Sequence, residues 1–325
     1  MYRLCATTLA AFAMLFVNGS GAQAATKFRL GFPTSINGPA GAGAKAMAQA
    51  VKEKSNGEIE LELFGDAQLG GDRDMLSQVV NGSLDCAMIG SNIASAFSPG
   101  LAVFDLPFIW ESEESYWKVL NGPTGDKLLD ALGPKGVKGL AYGSWGIRGF
   151  INKGYVINTP GDMAGKRIRV AQSPVAIAEI KALSANPVPV DFTEVYTALQ
   201  QNAIDSVESS YFAFVQAKHD EVATSLAVTN HAISASIWIM NGAKFAALTP
   251  AQQKIMVEAA HAGGAAMRAG TAKENLDAIE EMKKKGLTIT RPDPAPFRKL
   301  VEPVYEQFAP KFGADLIREV QNAQK

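Results

Sequence analysis

The sequence has almost no net charge. Its 325 residues include 31 lysines and arginines against 32 aspartates and glutamates, which gives a net charge of −1 at pH 7. A chain without an excess of either sign has no long-range field that recruits nucleic acid or an anionic membrane. We therefore expect neither of these as a partner. The composition, 47% hydrophobic and 19% charged, suits a globular protein of one or two domains.

Cysteine and histidine are scarce, and their scarcity excludes several kinds of site. Of the two cysteines, Cys5 lies in an N-terminal apolar run, which leaves Cys86 as the only later thiol and excludes an internal disulfide there. The three histidines are His219, His231 and His261. They are far apart and show no metal-binding spacing, so the sequence predicts no metal site.

Motifs for nucleotides and for hydrolysis are also missing. The run "GAGAKA" at 41–46 fits G-x-G-x-x-A, but it begins nine residues after Phe32, whereas a dinucleotide-binding turn follows its strand directly. There is no G-x-S-x-G elbow. Four carboxylates show no spacing that pairs them as acid and base: Asp72, Asp105, Asp205 and Glu208. We expect no cofactor and no catalytic residue.

The first 24 residues carry a secretory signal pattern. A basic residue near the start is followed by an apolar run from Leu4 to Val17 and then by Ala22-Gln23-Ala24. The run is shorter than the roughly 20 apolar residues of a membrane-spanning helix. The pattern predicts export, cleavage after Ala24 and a periplasmic mature protein.

Strand-like and helix-like segments alternate along the rest of the chain. Strand patterns lie at 27–32, 59–64, 85–90, 138–145, 149–153, 166–171, 187–192 and 205–210. This alternation is typical of an α/β protein with mostly parallel sheets. From Pro250 to about Lys285 the pattern indicates a long helix, with glycines at 263, 264 and 270 as the positions where it would break. No linker separates two halves of the chain. If the protein has two lobes, we therefore expect the chain to pass between them more than once.

Two arginines are the best candidates for binding an anion. In "AGKRIRVAQSP", at 164–174, Arg167 and Arg169 share one face of a short strand, and Arg148 lies between glycines and aromatics in "SWGIRGF". A guanidinium matches a carboxylate with two parallel hydrogen bonds. From the residues alone, a carboxylate clamp and a pair of exposed or salt-bridged arginines remain equal alternatives.

Longer motifs carry a resemblance to a known family. The runs "GDMAGKRIRVAQSP", "NPVPVDFTEVYTALQQNAIDSVESS" and "VTNH" occur in this order, after "GEIELELFGDAQLGGDRDMLSQVVNGSLD" and "FDLPFIW". Together they resemble the solute-binding proteins of tripartite ATP-independent periplasmic (TRAP) transporters, of the DctP type. The resemblance covers nearly the whole mature chain.

The resemblance implies particular ligand-binding residues. The family's main carboxylate-binding arginine matches Arg169, its supporting arginine matches Arg148, and the aromatic residue that packs on the ligand matches Phe192. Ser209 stands where many members have an amide that supports the carboxylate. Gly90 stands where sialic-acid-binding members have an acidic residue.

Further aromatic residues are candidate walls of the site, with core packing as the equal alternative for each. They are Phe32, Trp145, Phe150, Tyr211 and Trp238. An asparagine that family members carry near the first strand is replaced by Pro33. This change and Gly90 favour a smaller or more apolar acid than sialic acid.

The resemblance also implies a fold and a function. We expect two lobes that close on a ligand in the cleft between them, with a long helix spanning both lobes. Residues 26–146 and 235–274 would form lobe 1, and residues 147–234 and 275–325 would form lobe 2. The protein would capture a small organic acid and deliver it to the membrane subunits of a TRAP permease, through transient contact with that membrane protein. The alternative is a periplasmic sensor partner or an enzyme on the same two-lobed fold.

Overall fold

The computed structural model describes residues 25–313 and 315–324, so the predicted signal segment lies outside the described residues. The strands are β1 (Thr26–Gly31), β2 (Ile59–Phe64), β3 (Cys86–Gly90), β4 (Val137–Asn152), β5 (Arg167–Val170), β6 (Asn186–Pro189), β7 (Ser206–Ser210), β8 (Ser225–Ala227), β9 (Ile233–Asn241) and β10 (Thr288–Thr290). The helices are α1 (Pro39–Lys54), α2 (Asp72–Asn81), α3 (Ser91–Ala94), α4 (Glu113–Leu120), α5 (Pro123–Asp130), α6 (Pro174–Ala182), α7 (Val195–Gln200), α8 (Tyr211–Gln216), α9 (Gly242–Ala246), α10 (Pro250–Lys284), α11 (Pro294–Phe312) and α12 (Leu316–Ala323). Short 3-10 helices lie at Pro99–Asp105, Gly133–Lys135, Pro160–Met163, Phe192–Glu194 and His219–Glu221.

The strands pair in two groups that share β4. In the first group β1 lies between β2 and β3 in parallel, and β9 joins β3 to β4 in antiparallel pairs. In the second group β5 lies between β6 and β7 in parallel, β7 and β8 pair antiparallel with β4, and β10 extends β8. Parallel pairing is therefore confined to the outer strands, and the centre of the molecule is antiparallel.

Strand β4 connects the two groups. It is one strand of 16 residues, where the sequence predicted two shorter ones. Its residues up to Ile147 pair with β9, and those from Arg148 onward pair with β7. A β-bulge near Gly146, which has φ of 89°, bends the strand just before this change of partner. Arg148 is thus the first residue of β4 beyond the change.

Helix α10 spans both groups and is continuous through all three of its glycines. Gly263 and Gly264 let it approach the sheet closely, because a Cβ at Gly264 would lie 2.1 Å from the carbonyl oxygen of Tyr142. Gly263 packs against Trp238 of β9 and against Gly43 of α1. Further along, Glu274 accepts a hydrogen bond from Gln216 of α8, in the second group.

The C-terminal helices contact residues 107–127, which lie between β3 and β4 in the chain. In α11, the Tyr305 hydroxyl donates to the carbonyl oxygen of Pro107 at 2.6 Å. Beyond α11, Glu319 of α12 accepts hydrogen bonds from Thr124 and Lys127 of α5. The buried Gln324 side chain accepts from Glu111 N–H and Ser115 Oγ and donates to Ile109 O. These contacts fix the C-terminal segment to residues that the sequence assigned to lobe 1.

The predicted fold class is confirmed. The chain is a mixed α/β protein of two lobes with one long helix, although its sheets are less parallel than predicted. Within residues 25–313 and 315–324, no helix is both long enough and apolar enough to cross a membrane. In the same residues no cluster of three or more His, Cys, Asp or Glu side chains is arranged to hold a metal ion.

Candidate functional site

The candidate site lies where the carboxyl ends of several strands meet. Ligands of open α/β sheets bind beyond these ends. The ends of β1 and β3 supply Thr34 and Gly90 from one side, and the ends of β5 and β7 supply Ala171 and Ser209 from the other. Together with the side chains described below they line a cavity of about 80 Å³. At its mouth, a Cβ on Gly71 would lie 2.7 Å from a carboxylate oxygen of Asp191, so the two sides touch.

Arg169 is one of two buried arginines that line this cavity. It is only 3% exposed. Its Nε donates a hydrogen bond to the carbonyl oxygen of Val190 at 3.0 Å, and its Nη1 lies 3.5 Å from the carbonyl oxygen of Glu208. No carboxylate in the part of the chain that the structure describes forms a salt bridge with it. Burial, together with the nearby Arg148, lowers its pKa to about 10, so it stays charged at neutral pH. A buried cation without an ion partner is unfavourable, and an anion in the cavity would compensate its charge.

Arg148 lines the same cavity, but its guanidinium is already paired. Its Nε and Nη2 bind the two carboxylate oxygens of Glu208, the latter at 2.7 Å. This pairing opposes the effect of burial on both groups, so the pKa of Arg148 is raised and that of Glu208 is lowered. Arg148 can contribute its field to a bound anion, whereas Arg169 has its guanidinium edge available.

A buried cluster of acids lies behind Arg148. Glu208 also contacts Nε2 of His231 at 3.2 Å, and Glu179 lies 3.8 Å from the same nitrogen. Burial raises the pKa of Glu179 to about 7, against the fields of His231 and Arg148. Burial likewise raises the pKa of Asp105 to about 7, although Ser91 donates a hydrogen bond to it. The cluster fixes Arg148 and brings several ionisable groups close to the cavity.

The opposite wall is polar and leaves hydrogen-bonding atoms unpaired. Asp72, the first residue of α2, accepts from Gly90 N–H at 3.2 Å through Oδ2, while its Oδ1 is buried without a protein partner. Burial raises the pKa of Asp72 to about 7, and Asp191 adds to the increase. Thr34 Oγ1 and Trp145 Nε1 also line the cavity and are buried without a partner among the described atoms. Half-buried Asn92 lies beside them.

The sequence as a whole matches a known family. The DctP family, bacterial extracellular solute-binding protein family 7, matches residues 33–311. The chain belongs to this family. Members of the DctP family bind solutes, and the predicted resemblance is confirmed.

Similar proteins agree with the DctP assignment. The chain is 35% identical to the 2,3-diketo-L-gulonate-binding periplasmic protein YiaO of Escherichia coli K12, over 99% of this chain and 98% of that protein. It is 31% identical to the C4-dicarboxylate-binding periplasmic protein DctP of Rhodobacter capsulatus, over 88% of this chain and 87% of that protein. The solved galactonate complex of DctPAm from Advenella mimigardefordensis has a TM-score of 0.89 and 28% identity, covering 92% of this chain and 98% of that one.

The structure brings together some of the residues that the DctP resemblance indicated. Those that line the cavity are Arg169, Arg148, Phe192, Ser209, Gly90 and Trp145. The ring of Phe192 lies 5.9 Å from that of the buried His219, whose pKa burial lowers to about 3. Ser209 lies in β7 opposite Gly149.

Other predicted wall residues belong to the core and do not line the cavity. Their side chains are at most 2% exposed: Phe32, Phe150, Tyr211 and Trp238. The Tyr211 hydroxyl lies 2.8 Å from Asn230 Oδ1, and Phe150 stacks on His231 with ring centroids 4.8 Å apart. Trp238 donates to Ser236 Oγ at 3.0 Å and supports α10. In this arrangement they support the site from behind.

The structure adds lining residues that the sequence did not indicate. They are Pro33, Thr34, Asp72, Asn92, Ala171, Ser210, Phe212, Ala213 and Ser234. Of these, Asp72 was noted only as a carboxylate without a partner, and Pro33 only as a departure from the family. The turn "GGDRD", with glycines directly before a helix that starts at Asp72, was the available signal for an acid at a helix start.

Proposed function

We propose that this chain is exported to the periplasm, where it captures a hydroxylated carboxylic acid of the sugar-acid class. The observation that carries the proposal is Arg169, a cation that is 3% exposed inside a cavity and has no carboxylate partner in residues 25–313 and 315–324. A ligand carboxylate matches the guanidinium edge in charge and in shape.

The polar wall supports a ligand that carries hydroxyl groups. A buried polar atom without a hydrogen bond costs about 1–3 kcal/mol, so the unpaired atoms of Asp72, Thr34 and Trp145 favour a ligand that can pair with them. A purely apolar acid would leave them unsatisfied. The wall therefore favours a polyhydroxy acid over the smaller or more apolar acid that the sequence suggested. The names of YiaO and of the galactonate complex record acids of this class.

The proposed mode of action is binding and delivery. Ligand would enter between separated lobes, the lobes would close, and the closed form would be handed to the membrane subunits of a TRAP permease. We propose that the chain is not an enzyme, because solute binding is the activity of its family. Turnover of a bound acid, detected by mass spectrometry after incubation, would instead favour the alternative of an enzyme on this fold.

We propose the following division into lobes. Residues 26–146 and 235–274 form lobe 1, and residues 147–234 with 275–312 form lobe 2. The division expected from the sequence placed the whole of 275–325 in lobe 2. The contacts of α12 with α5 and of Gln324 with residues 109–115 favour lobe 1 for the last segment.

The deciding experiment is a ligand screen on the mature protein. We expect D-galactonate, D-glucuronate or D-erythronate to raise the unfolding temperature, because a ligand of the native state stabilises it by mass action. Hexanoate, which offers a carboxylate but no hydroxyl group, should give no increase at the same concentration. Stabilisation by hexanoate alone would overturn the assignment to sugar acids, and no stabilisation by any acid would overturn the assignment to carboxylates.

A further inference from the structure

The side chain of Asn92 occupies the space that a side chain at position 90 would need, so Gly90 has room only for hydrogen. The backbone at Gly90 has φ of −68° and ψ of 145°, a conformation open to any residue. A Cβ placed there, however, would lie 2.2 Å from Oδ1 of Asn92. No ordinary Cβ contact is that short, so a larger residue at position 90 would force the Asn92 side chain to move. The absent side chain at 90 and the position of Asn92 are therefore linked.

Asn92 lies between three cavities and contributes to the lining of each. It lines the ligand cavity, the small polar cavity behind Arg148, and a groove at the mouth of the cleft beside Arg73 and Gln172. Its carboxamide forms no side-chain hydrogen bond with the residues that the structure describes. A carboxamide offers two N–H donors and an oxygen acceptor. At this position it can contact a ligand whose carboxylate is held by Arg169.

The neighbouring acid makes the amide chemically distinct. Asp72 accepts from Gly90 N–H on the same wall, and a Cβ at Gly90 would lie 3.4 Å from its Oδ2. When ionised, Asp72 can only accept hydrogen bonds, whereas Asn92 can also donate to a hydroxyl or carbonyl oxygen. Together they can pair with a ligand group that both donates and accepts.

We propose that Gly90 and Asn92 form a specificity pair, in which the missing side chain at 90 lets the Asn92 carboxamide bind a hydroxyl or keto oxygen of the ligand away from its carboxylate. This inference rests on the proposed function, since it names a second contact of the same site. It assigns selectivity among acids to Asn92 and leaves the binding of the carboxylate to Arg169.

The pair is tested by calorimetry with D-galactonate, D-glucuronate and D-erythronate on four proteins: the parent, Asn92→Ala, Gly90→Ala and the double variant. Loss of one neutral hydrogen bond should weaken the tightest of these acids by about 3- to 10-fold in Asn92→Ala. Gly90→Ala should weaken it similarly, because it displaces Asn92. The double variant should be no weaker than either single variant, since both changes remove the same contact.

Controls separate the outcomes. Asn322→Ala, at an exposed position of α12, should bind as the parent does. Circular dichroism establishes that each variant is folded, and Asn92→Ala alone decides the question if Gly90→Ala does not fold. A parent that binds an acid while Asn92→Ala binds it equally tightly overturns the pair and leaves the proposed function standing. Additive losses in the double variant also overturn the pair. A parent that binds none of the three acids overturns both.

Discussion

Two arginines on one face of β5 have different surroundings, and the difference decides which can bind a ligand. Arg167 is exposed and forms a two-pronged pair with Asp205, with Nη2 and Oδ1 2.6 Å apart. Arg169, two residues nearer the carboxyl end of the strand, is buried in the cavity without such a partner. Period-two alternation places both on one face, and only the position along the strand separates them.

Replacing these arginines should therefore have unequal effects on binding. Arg169→Ala should weaken binding of the acid identified in the screen by about 2–5 kcal/mol, because it leaves a desolvated carboxylate unpaired. Arg169→Lys should also weaken it, since an ammonium lacks the planar fork. Arg167→Ala is the matched control and should bind as the parent does. Calorimetry on the three variants measures this, and tight binding by Arg169→Ala with loss in Arg167→Ala would contradict it.

The buried carboxyl of Asp105 should make stability depend on pH. Its folded-state pKa of about 7 lies above the ordinary value of about 3.9, so the folded state holds the proton more tightly than the unfolded state does. The resulting stabilisation is complete below pH 4 and is lost as the pH rises through 7. Asp105→Asn cannot ionise, so its unfolding temperature should exceed that of the parent at pH 8 and differ little at pH 4.

Thermal unfolding at several pH values, without ligand, checks this expectation. Asp315→Asn, at an exposed carboxyl on the surface, should follow the parent at every pH. If Asp105→Asn loses as much stability between pH 4 and pH 8 as the parent, the charge of Asp105 is not the cause.

The sequence could predict a site residue only where a motif indicated that its side chain faces the cleft. Arg169 and Phe192 were located through long family motifs that fix their place at strand ends. Tyr211 and Trp238 were not, because an aromatic residue near a strand end can face the core or the cleft with the same local pattern. Asp72 was noted as a carboxylate, but its place in the site depends on how the lobes come together, which no local pattern records.

At the scale of elements, the long helix α10 shows how packing overrides propensity. Glycine weakens a helix by about 1 kcal/mol relative to alanine, which is why breaks were expected at its three glycines. Gly263 and Gly264 are instead the points of contact with the rest of the fold.

The strands β4 and β9 were not fully predicted from the sequence. Two shorter strands were predicted for β4, and no strand was predicted for β9. Both strands are buried along almost their whole length, and an apolar run without alternation does not reveal its boundaries.

Two glycines of α10 should therefore respond in opposite ways to alanine. Gly264→Ala places a Cβ 2.1 Å from a backbone oxygen of Tyr142 and should lower the free energy of unfolding by about 1–3 kcal/mol or more. Gly270→Ala meets nothing nearer than Pro39 Cβ at 3.4 Å, so its gain in helix propensity should raise the free energy of unfolding by about 0.5–1 kcal/mol. Urea unfolding of both variants measures this, and a loss at Gly270 equal to that at Gly264 would contradict it.

At the scale of the molecule, the two sides of the cleft approach each other at its mouth. Asp191 lies against Gly71 across the mouth, beside the cavity of about 80 Å³. We expect the lobes to separate when a ligand enters, as in hinge closure of binding proteins. The fold class and the long helix followed from the alternation of elements and from the resemblance, whereas the packing of α12 against α5 depends on contacts between residues about 200 positions apart, such as Thr124 with Glu319.

Closure should be visible in solution. Adding a saturating concentration of the acid identified in the screen should lower the radius of gyration measured by small-angle X-ray scattering, because the ligand holds the two lobes together. Arg169→Ala at the same acid concentration should keep the radius of the ligand-free parent. Unchanged scattering of the parent on binding would show that the lobes are already closed without ligand.

The routes by which the chain passes between the lobes limit how they can move. With the proposed division into lobes, the chain would cross at the change of partner in β4, at the start of β9, along α10 and between α11 and α12. Two bodies joined by a single flexible strand can rotate about three independent axes, and each further attachment removes freedom. Four attachments should leave essentially one opening angle and little twist or sideways tilt. Arg169 on one lobe and Asp72 on the other would then meet in the same register at every closure, so the geometry of recognition is set by the joint as well as by the side chains.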